Sequence, residues 1–380
     1  MLHETIGIYI HIPFCIKKCN YCDFPSLPGM DDCFEDYTNA VCREIEKAAS
    51  DHSNKLADSV FFGGGTPSVL PARYISKIID ALSKGFKISE NAEISIEVNP
   101  GTISQEKVMV YRELDFNRIS IGFQSANNSL LKLMGRIHTK EMFEECVDRV
   151  KKCGFKNISA DIIFGIPEQT MKDFQETVEL ALQKGVTHVS CYSLKLEEGT
   201  RWYELNEKGE LPLVNEDLER EMYYWAINRL KDSGFIHYEI SNFAKPGFQS
   251  QHNLKYWTDK PYLGFGAAAH SYMNNIRYSN IENPVEYIKR INEGKAAVDM
   301  SEPVGLDEKL SERFILGLRL IEGVNIKHLE KEFGNEAVQK YNEKINMLIK
   351  KNLICLEGDM LKLTNSGLDF ANLVWLEFIT

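Results

Sequence analysis

A chain of 380 residues with 43% hydrophobic and 26% charged content has the composition of a soluble enzyme and the length of two or three domains, fewer if one is an α/β barrel. The formal net charge of −11 argues against a nucleic-acid partner, which needs a basic surface. No apolar run approaches the ~20 residues that span a bilayer, and Met1-Leu-His-Glu-Thr5 lacks the basic start and apolar stretch of a secretory signal, so no transmembrane segment and a cytosolic, reducing location are expected.

The first β-rich run, residues 6–12, leads straight into Cys15-Ile-Lys-Lys-Cys19-Asn-Tyr-Cys22. An amphipathic stretch follows, with Phe34, Tyr37, Val41 and Ile45 on one face and Cys42 close to it. Further strands are predicted at residues 60–62, 92–98, 118–122, 158–164 and 188–193, with helices between them such as 73–83 and 171–184. This alternation implies right-handed crossovers and a parallel sheet, enough for a partial (β/α)6 barrel over residues 1–240, although a doubly wound open sheet has the same pattern. Unusual residues recur at the strand ends: Cys15, then Gly63-Gly64-Gly65-Thr66-Pro67, then Glu97-Val-Asn-Pro100, then Gln124-Ser125, then Asp161 with Gly165-Ile-Pro167. In a parallel barrel these ends converge on one face, where barrel active sites lie.

Residues 241–300 read as a connecting segment with two distinctive runs, His252-Asn253-Leu-Lys-Tyr256-Trp257 and Gly264-Phe-Gly-Ala-Ala-Ala-His270-Ser271. From 301 to 380 the pattern becomes α+β. Helices are expected at 308–321, 326–333 and 336–351, a hairpin at 353–363 turning at Gly358-Asp359, and a last helix after Ser366-Gly367. Helices followed by a hairpin suggest a winged-helix-like module. Its acids outnumber Lys plus Arg, which favours a protein-contact or structural role over DNA binding.

The chain has nine cysteines, and in a reducing compartment clustered cysteines point to metal or redox chemistry rather than disulfides. Cys33, Cys42, Cys146, Cys153, Cys191 and Cys355 are dispersed and read as small apolar residues. Cys15, Cys19 and Cys22, spaced C-x3-C-x2-C on one loop, suit three irons of a [4Fe–4S] cluster whose fourth iron keeps an open position. The bland alternative is structural zinc with His11 as fourth ligand, but the second cysteine pair usual for zinc is missing from the sequence.

With this spacing and these strand ends the sequence resembles the radical S-adenosylmethionine superfamily. Within it, Tyr9-Ile-His-Ile-Pro-Phe-Cys15 is typical of the coproporphyrinogen dehydrogenase group and its haem-chaperone paralogues, a resemblance that covers nearly the whole chain. It implies a radical-SAM partial barrel and S-adenosylmethionine bound at the open iron. Tyr9, Tyr21, Gly64, Gly65 and Thr66 would line that molecule, while Glu97, Gln124, Arg136 and Asp161 match polar positions that contact one or other of two S-adenosylmethionines in the dehydrogenases. Each has a plainer reading: a tight turn for residues 63–65, a buried hydrogen-bonded carboxylate for Asp161, a surface charge for Arg136.

Two departures favour the chaperone branch. The dehydrogenases carry one more cysteine, two positions after the third, where this chain has Phe24; they also carry an extension before the first strand, which here starts near residue 6. The run His252-Asn253-Leu-Lys-Tyr256-Trp257 matches the chaperones' H-N-x-x-Y-W signature. The resemblance therefore implies a haem chaperone that binds haem as cargo, with His252 and His270 as candidate ligands. It also implies delivery to apo-haemoproteins such as respiratory enzymes, and allows cluster-dependent homodimers. The alternatives are an oxygen-independent coproporphyrinogen III dehydrogenase or another radical-SAM tetrapyrrole enzyme, and a cluster protein whose C-terminal module binds partner proteins.

Overall fold

In the first strand, β1 (Thr5–Ile12), every second residue is an isoleucine, and Ile6, Ile8, Ile10 and Ile12 are all fully buried. Alternation sends them to one face, under the helices, and sends Gly7, Tyr9 and His11 to the other. The structure, a computed structural model, describes residues 5–52 and 54–379. Two short strands, β2 (Phe14–Cys15) and β3 (Leu27–Pro28), pair in parallel and close the loop that carries Cys19 and Cys22.

Five strands then follow β1 in simple succession: β4 (Leu56–Gly64), β5 (Lys87–Val98), β6 (Arg118–Gln124), β7 (Asn157–Phe164) and β8 (His188–Ser193). Each pairs in parallel with the one before it, so the order is β1-β4-β5-β6-β7-β8. A doubly wound sheet would reverse direction at a switch point; this one does not, and the six strands form the expected (β/α)6 partial barrel. Helices Phe34–His52, Ala72–Gly85, Gln105–Glu113, Lys140–Lys152 and Met171–Gln183 cover the outside. Several start on side-chain caps that satisfy the first free N–H groups: Ser104 accepts from Lys107, Thr139 from Met142, and Thr170 forms a capping box with Asp173.

The segment expected as a connection, residues 241–300, contributes strands that extend the barrel sheet. On one edge β9 (Ile236–Glu239) and β10 (Asn242–Ala244) add antiparallel to β8. On the other, β11 (Tyr262–Phe265) pairs in parallel with β1, and β12 (His270–Met273), β13 (Ile276–Asn280) and β14 (Val298–Pro303) continue antiparallel. The result is one twelve-stranded sheet ending at β14 and β9.

The C-terminal module has its own core, in which Phe314, Leu329, Tyr341, Leu361 and Phe378 are buried together, apart from the main cluster. Helices Leu306–Gly317 and Ile326–Phe333 match two of the predicted ones, whereas the third divides into Asn335–Gln339 and Asn342–Lys350. The break places the Tyr341 ring against Phe314 and Phe378. A two-residue strand, β15 (Val324–Asn325), joins the hairpin of β16 (Ile354–Glu357) and β17 (Met360–Leu363) in a three-stranded sheet. Among the described residues no helix is long and apolar enough to cross a membrane.

Candidate functional site

The cysteine loop is anchored in large part by Asn20 and Tyr21, the residues between its last two cysteines. Asn20 donates through its main chain to Met134 O (2.9 Å) and through its amide to Leu133 O (2.8 Å), and its own carbonyl accepts from Trp202 N (2.9 Å). The Tyr21 ring packs on Trp202 at 5.8 Å. At the loop's root, Gly65 N donates to Ile12 O and Thr66 N to Phe14 O, both at 2.8 Å, so the glycine-rich turn lies directly on the strand that leads to Cys15. A Cβ on Gly65 would come within 2.7 Å of Phe14 O and 3.1 Å of Cys15 Sγ. At Gly64, where φ is +109°, it would enter the His11 ring.

Cys15, Cys19 and Cys22 share this loop, half-buried and unpaired. Among the described residues no three His, Cys, Asp or Glu groups converge tightly enough to hold a single ion. A mononuclear zinc site needs its sulfurs within about 4 Å of one another, given Zn–S bonds near 2.3 Å, whereas a cubane spreads its thiolates over different irons. His11 is also committed elsewhere: its ring nitrogens meet Tyr9 Oη (3.1 Å) and Pro25 O (3.0 Å), and burial lowers it to about 4. His11 is therefore not free to complete a zinc site.

Around the loop the predicted polar residues come together. Arg136 points its guanidinium at Cys19 Sγ (3.6 Å) and donates to Gly122 O (3.2 Å) and to Asn99 Oδ1. It is no surface charge. Asn99 in turn donates to Thr66 Oγ1 (2.9 Å), which faces Cys15 Sγ at 3.4 Å. Asn99 thus joins the arginine to the glycine turn, a role the sequence did not reveal; its signal was its place at a strand end, two residues beyond Glu97. Inside the barrel, burial and the neighbouring Asp161 push Glu97 up to about 8, against the Gly64 N–H that lowers it. Burial also raises Asp161, although hydroxyls of Ser190 and Ser120 favour its charged form; Ser120 Oγ reaches both its oxygens, at 3.1 and 3.0 Å.

Gln124 is held at φ +59°, unusual for a residue with a side chain, and its buried Oε1 has no hydrogen-bond partner among the described residues. A strained, orphaned amide beside two buried carboxylates and a glycine cradle suits a ligand with an ammonium and hydroxyls. S-adenosylmethionine fits that description, with methionyl and ribose groups for these partners. Tyr9 lies deeper, in a three-ring cluster with Phe61 (6.2 Å) and His252 (6.3 Å).

The two candidate histidines differ sharply. His252 lies on helix Gln251–Trp257, which plugs the barrel floor, and is 1% exposed. Its Nδ1 meets Ser59 Oγ at 2.9 Å and its Nε2 meets Tyr256 Oη at 2.8 Å, with Phe61 stacked at 5.3 Å. Burial, assisted by Lys255, lowers it to about 3, so it is neutral. Trp257 faces the other way, beneath the Arg319 guanidinium at 4.2 Å. His270 is exposed at the start of β12. The glycines before it serve backbone packing: a Cβ on Gly264 would sit 2.1 Å from His270 O, and one on Gly266 2.6 Å from His11 O. The dispersed Cys42, Cys146 and Cys191 are buried.

Comparison with known proteins shows the family and the fold. Residues 9–181 match the profile of the Radical SAM superfamily, and residues 304–370 that of the HemN C-terminal domain. The chain is 36% identical to the heme chaperone HemW of Lactococcus lactis, covering 100% of this chain and 98% of that protein. It is 34% identical to HemW of Bacillus subtilis over 98% of each chain. It is 31% identical to the mitochondrial radical S-adenosyl methionine domain-containing protein 1 of Danio rerio, covering 85% of this chain and 75% of that one. Among solved structures, coproporphyrinogen III oxidase (HemN) from Escherichia coli superimposes with a TM-score of 0.88 at 21% identity, over 100% of this chain and 91% of that one.

Proposed function

Because the chain belongs to the radical S-adenosylmethionine superfamily and, within it, to the HemW heme-chaperone family, we propose that it binds haem and delivers it to apo-haemoproteins such as respiratory enzymes. The observation that carries this reading is end-to-end similarity, at 36% and 34% identity, to proteins named heme chaperones. Phe24, in place of a further cysteine, supports the same branch.

In this reading Cys15, Cys19 and Cys22 hold three irons of a [4Fe–4S] cluster, and the glycine turn with Thr66 carries S-adenosylmethionine against it. Glu97, Gln124, Arg136 and Asp161 contact that molecule or a second S-adenosylmethionine, while Tyr9 and Tyr21 line the cluster-bound one. When bound, these groups would supply one-electron chemistry; the protein contributes position, dryness and charge.

The test is an anaerobic haem titration of the cluster-reconstituted chain, followed by transfer to an apo-cytochrome. Saturable, near-stoichiometric binding with transfer is the expected result. Absence of binding, combined with turnover of coproporphyrinogen III, would make the chain a tetrapyrrole enzyme instead.

A further inference from the structure

An arginine can only donate hydrogen bonds, an amide both donates and accepts, and a cysteine that ligates iron, having lost its proton, can only accept. These constraints fix the direction of each bond in the row of side chains beside Cys15 and Cys19. His138 Nε2 faces Phe123 O at 3.1 Å and so carries the ring proton, which leaves Nδ1 to accept from Arg136 Nε at 3.4 Å. Arg136 points Nη1 at Cys19 Sγ (3.6 Å) and Nη2 at Asn99 Oδ1. With its oxygen taken, Asn99 offers its NH2 group to Thr66 Oγ1, 2.9 Å away. The Thr66 oxygen is therefore an acceptor in that bond, and its own proton is left for Cys15 Sγ at 3.4 Å.

The local fold holds Asn99 in this orientation. Its N–H donates to Ser68 Oγ (3.2 Å), and its carbonyl accepts from Thr102 N (2.9 Å) and Thr102 Oγ1 (2.8 Å). Opposite the amide stands Gly122 of β6, where a Cβ would come within 2.8 Å of Asn99 Oδ1 and 3.0 Å of Arg136 Nη2. A glycine at that strand position leaves the room the amide and the guanidinium occupy. An aspartate of the same shape would keep Arg136 but reverse the next bond. Having no donor, it would draw the Thr66 proton to itself and away from Cys15.

We infer that Asn99 is a positioning residue for the cluster, acting through Arg136 and Thr66 to place a hydrogen-bond donor on each of two ligating sulfurs, Cys19 and Cys15. A donor on a ligating sulfur favours the more negative, reduced cluster and so raises its reduction potential. The inference rests on the reading of the three cysteines as cluster ligands and is independent of what the chain does with haem.

The experiment is an anaerobic redox titration of the full reconstituted chain without S-adenosylmethionine, followed by electron paramagnetic resonance of the reduced cluster. Wild type is compared with Thr66→Ser, Thr66→Val, Asn99→Asp and the double variant Thr66→Val with Asn99→Asp; iron per chain and melting temperature are read for each. Thr66→Val is expected to lower the reduced-to-oxidised ratio at a fixed potential about tenfold, or ~59 mV for one electron, whereas Thr66→Ser keeps the wild-type value. Asn99→Asp is expected to lower it at least as far. Its added charge contributes to that fall, so the same substitution should have a smaller effect once the Thr66 hydroxyl is gone. Equal potentials in wild type and Thr66→Val, at equal iron per chain, overturn the inference. An aspartate effect of the same size with and without the hydroxyl is the mark of charge alone and also overturns it. If Asn99→Asp takes up no iron, the Thr66→Ser and Thr66→Val pair decides by itself. A wild-type chain that takes up no cluster ends the cluster reading and this inference together, while a failure to bind haem ends the chaperone reading and leaves this one standing.

Discussion

Gly65 is the residue at which the cluster loop and the glycine turn touch. An added Cβ there meets the Phe14 carbonyl at 2.7 Å, backbone that has no rotamer to escape into. Gly65→Ala should therefore move the Cys15 loop, at a cost of about 1–3 kcal/mol; iron per chain after reconstitution should fall while the circular dichroism of the barrel stays as in wild type. Glu97 gives a second residue-scale expectation. Its carboxyl is raised from 4.5 to about 8 in the folded chain, so the native state binds the proton more tightly than the unfolded state. The sign follows: this group opposes folding as pH rises from 4.5 to about 8, by up to ~1.4 kcal/mol per pH unit, and the penalty is complete above that window. Glu97→Gln, neutral throughout, should flatten the fall in melting temperature of the ligand-free chain across this range; an equal slope in both proteins would contradict it. Glu97, Gln124 and Asp161 were legible in the sequence because each is a polar residue in a β-rich run or at its end. Asn99 was not, since its role depends on partners brought over by sheet register and long loops.

At the scale of elements, helix Gln251–Trp257 is a plug. Ser250 caps it, Glu93 accepts from His252 N at 3.2 Å, and the His252 ring fills the space above Gly7 between Ser59 and Phe61. Gly7 is the strand's concession to this ring, because a Cβ there would approach His252 Cε1 at 3.2 Å and Lys255 Cδ at 2.9 Å. His252→Ala should cost about 2–4 kcal/mol, through a cavity and two hydroxyls left unpaired. A lower denaturation midpoint with unchanged cluster iron is the expected measurement. Haem bound per folded chain should not change. The motif itself was legible, but not its burial, because a seven-residue helix with one inward histidine has too short a period to show which face is covered. The six parallel strands could be read from their runs of Ile, Val and Phe. Strand β14, Val-Asp-Met-Ser-Glu-Pro, could not, since all six residues are exposed and its alternation lasts only four residues before Glu302 and Pro303.

Among the described residues the core of the C-terminal module, starting at Leu310, is separate from the main barrel core, which extends to Ala297, and charged side chains stand between them. Arg319 is central to that joint. Its guanidinium stacks on Trp257 of the plug at 4.2 Å and on Trp375 of the last helix at 5.3 Å, and pairs with Glu239 at 3.5 Å. Arg313 adds a bond to Thr258 O at 2.8 Å. Glu239 is fully buried, and its carboxyl is raised by burial even with Arg319 opposing the shift. Removing the arginine leaves that carboxylate without its cation, a change that costs about 3–5 kcal/mol for a buried pair. Because the lost partner favoured the charged form, the folded-state pKa rises further in Arg319→Ala. The variant's deficit should accordingly be larger at pH 8 than at pH 5, where the acid can take up a proton. With the joint weakened and each core intact, calorimetry at pH 8 should resolve melting of the C-terminal module from that of the barrel, while wild type melts with the two coupled. A single transition in Arg319→Ala, displaced equally at both pH values, would show that the cores are held together by something other than this stack.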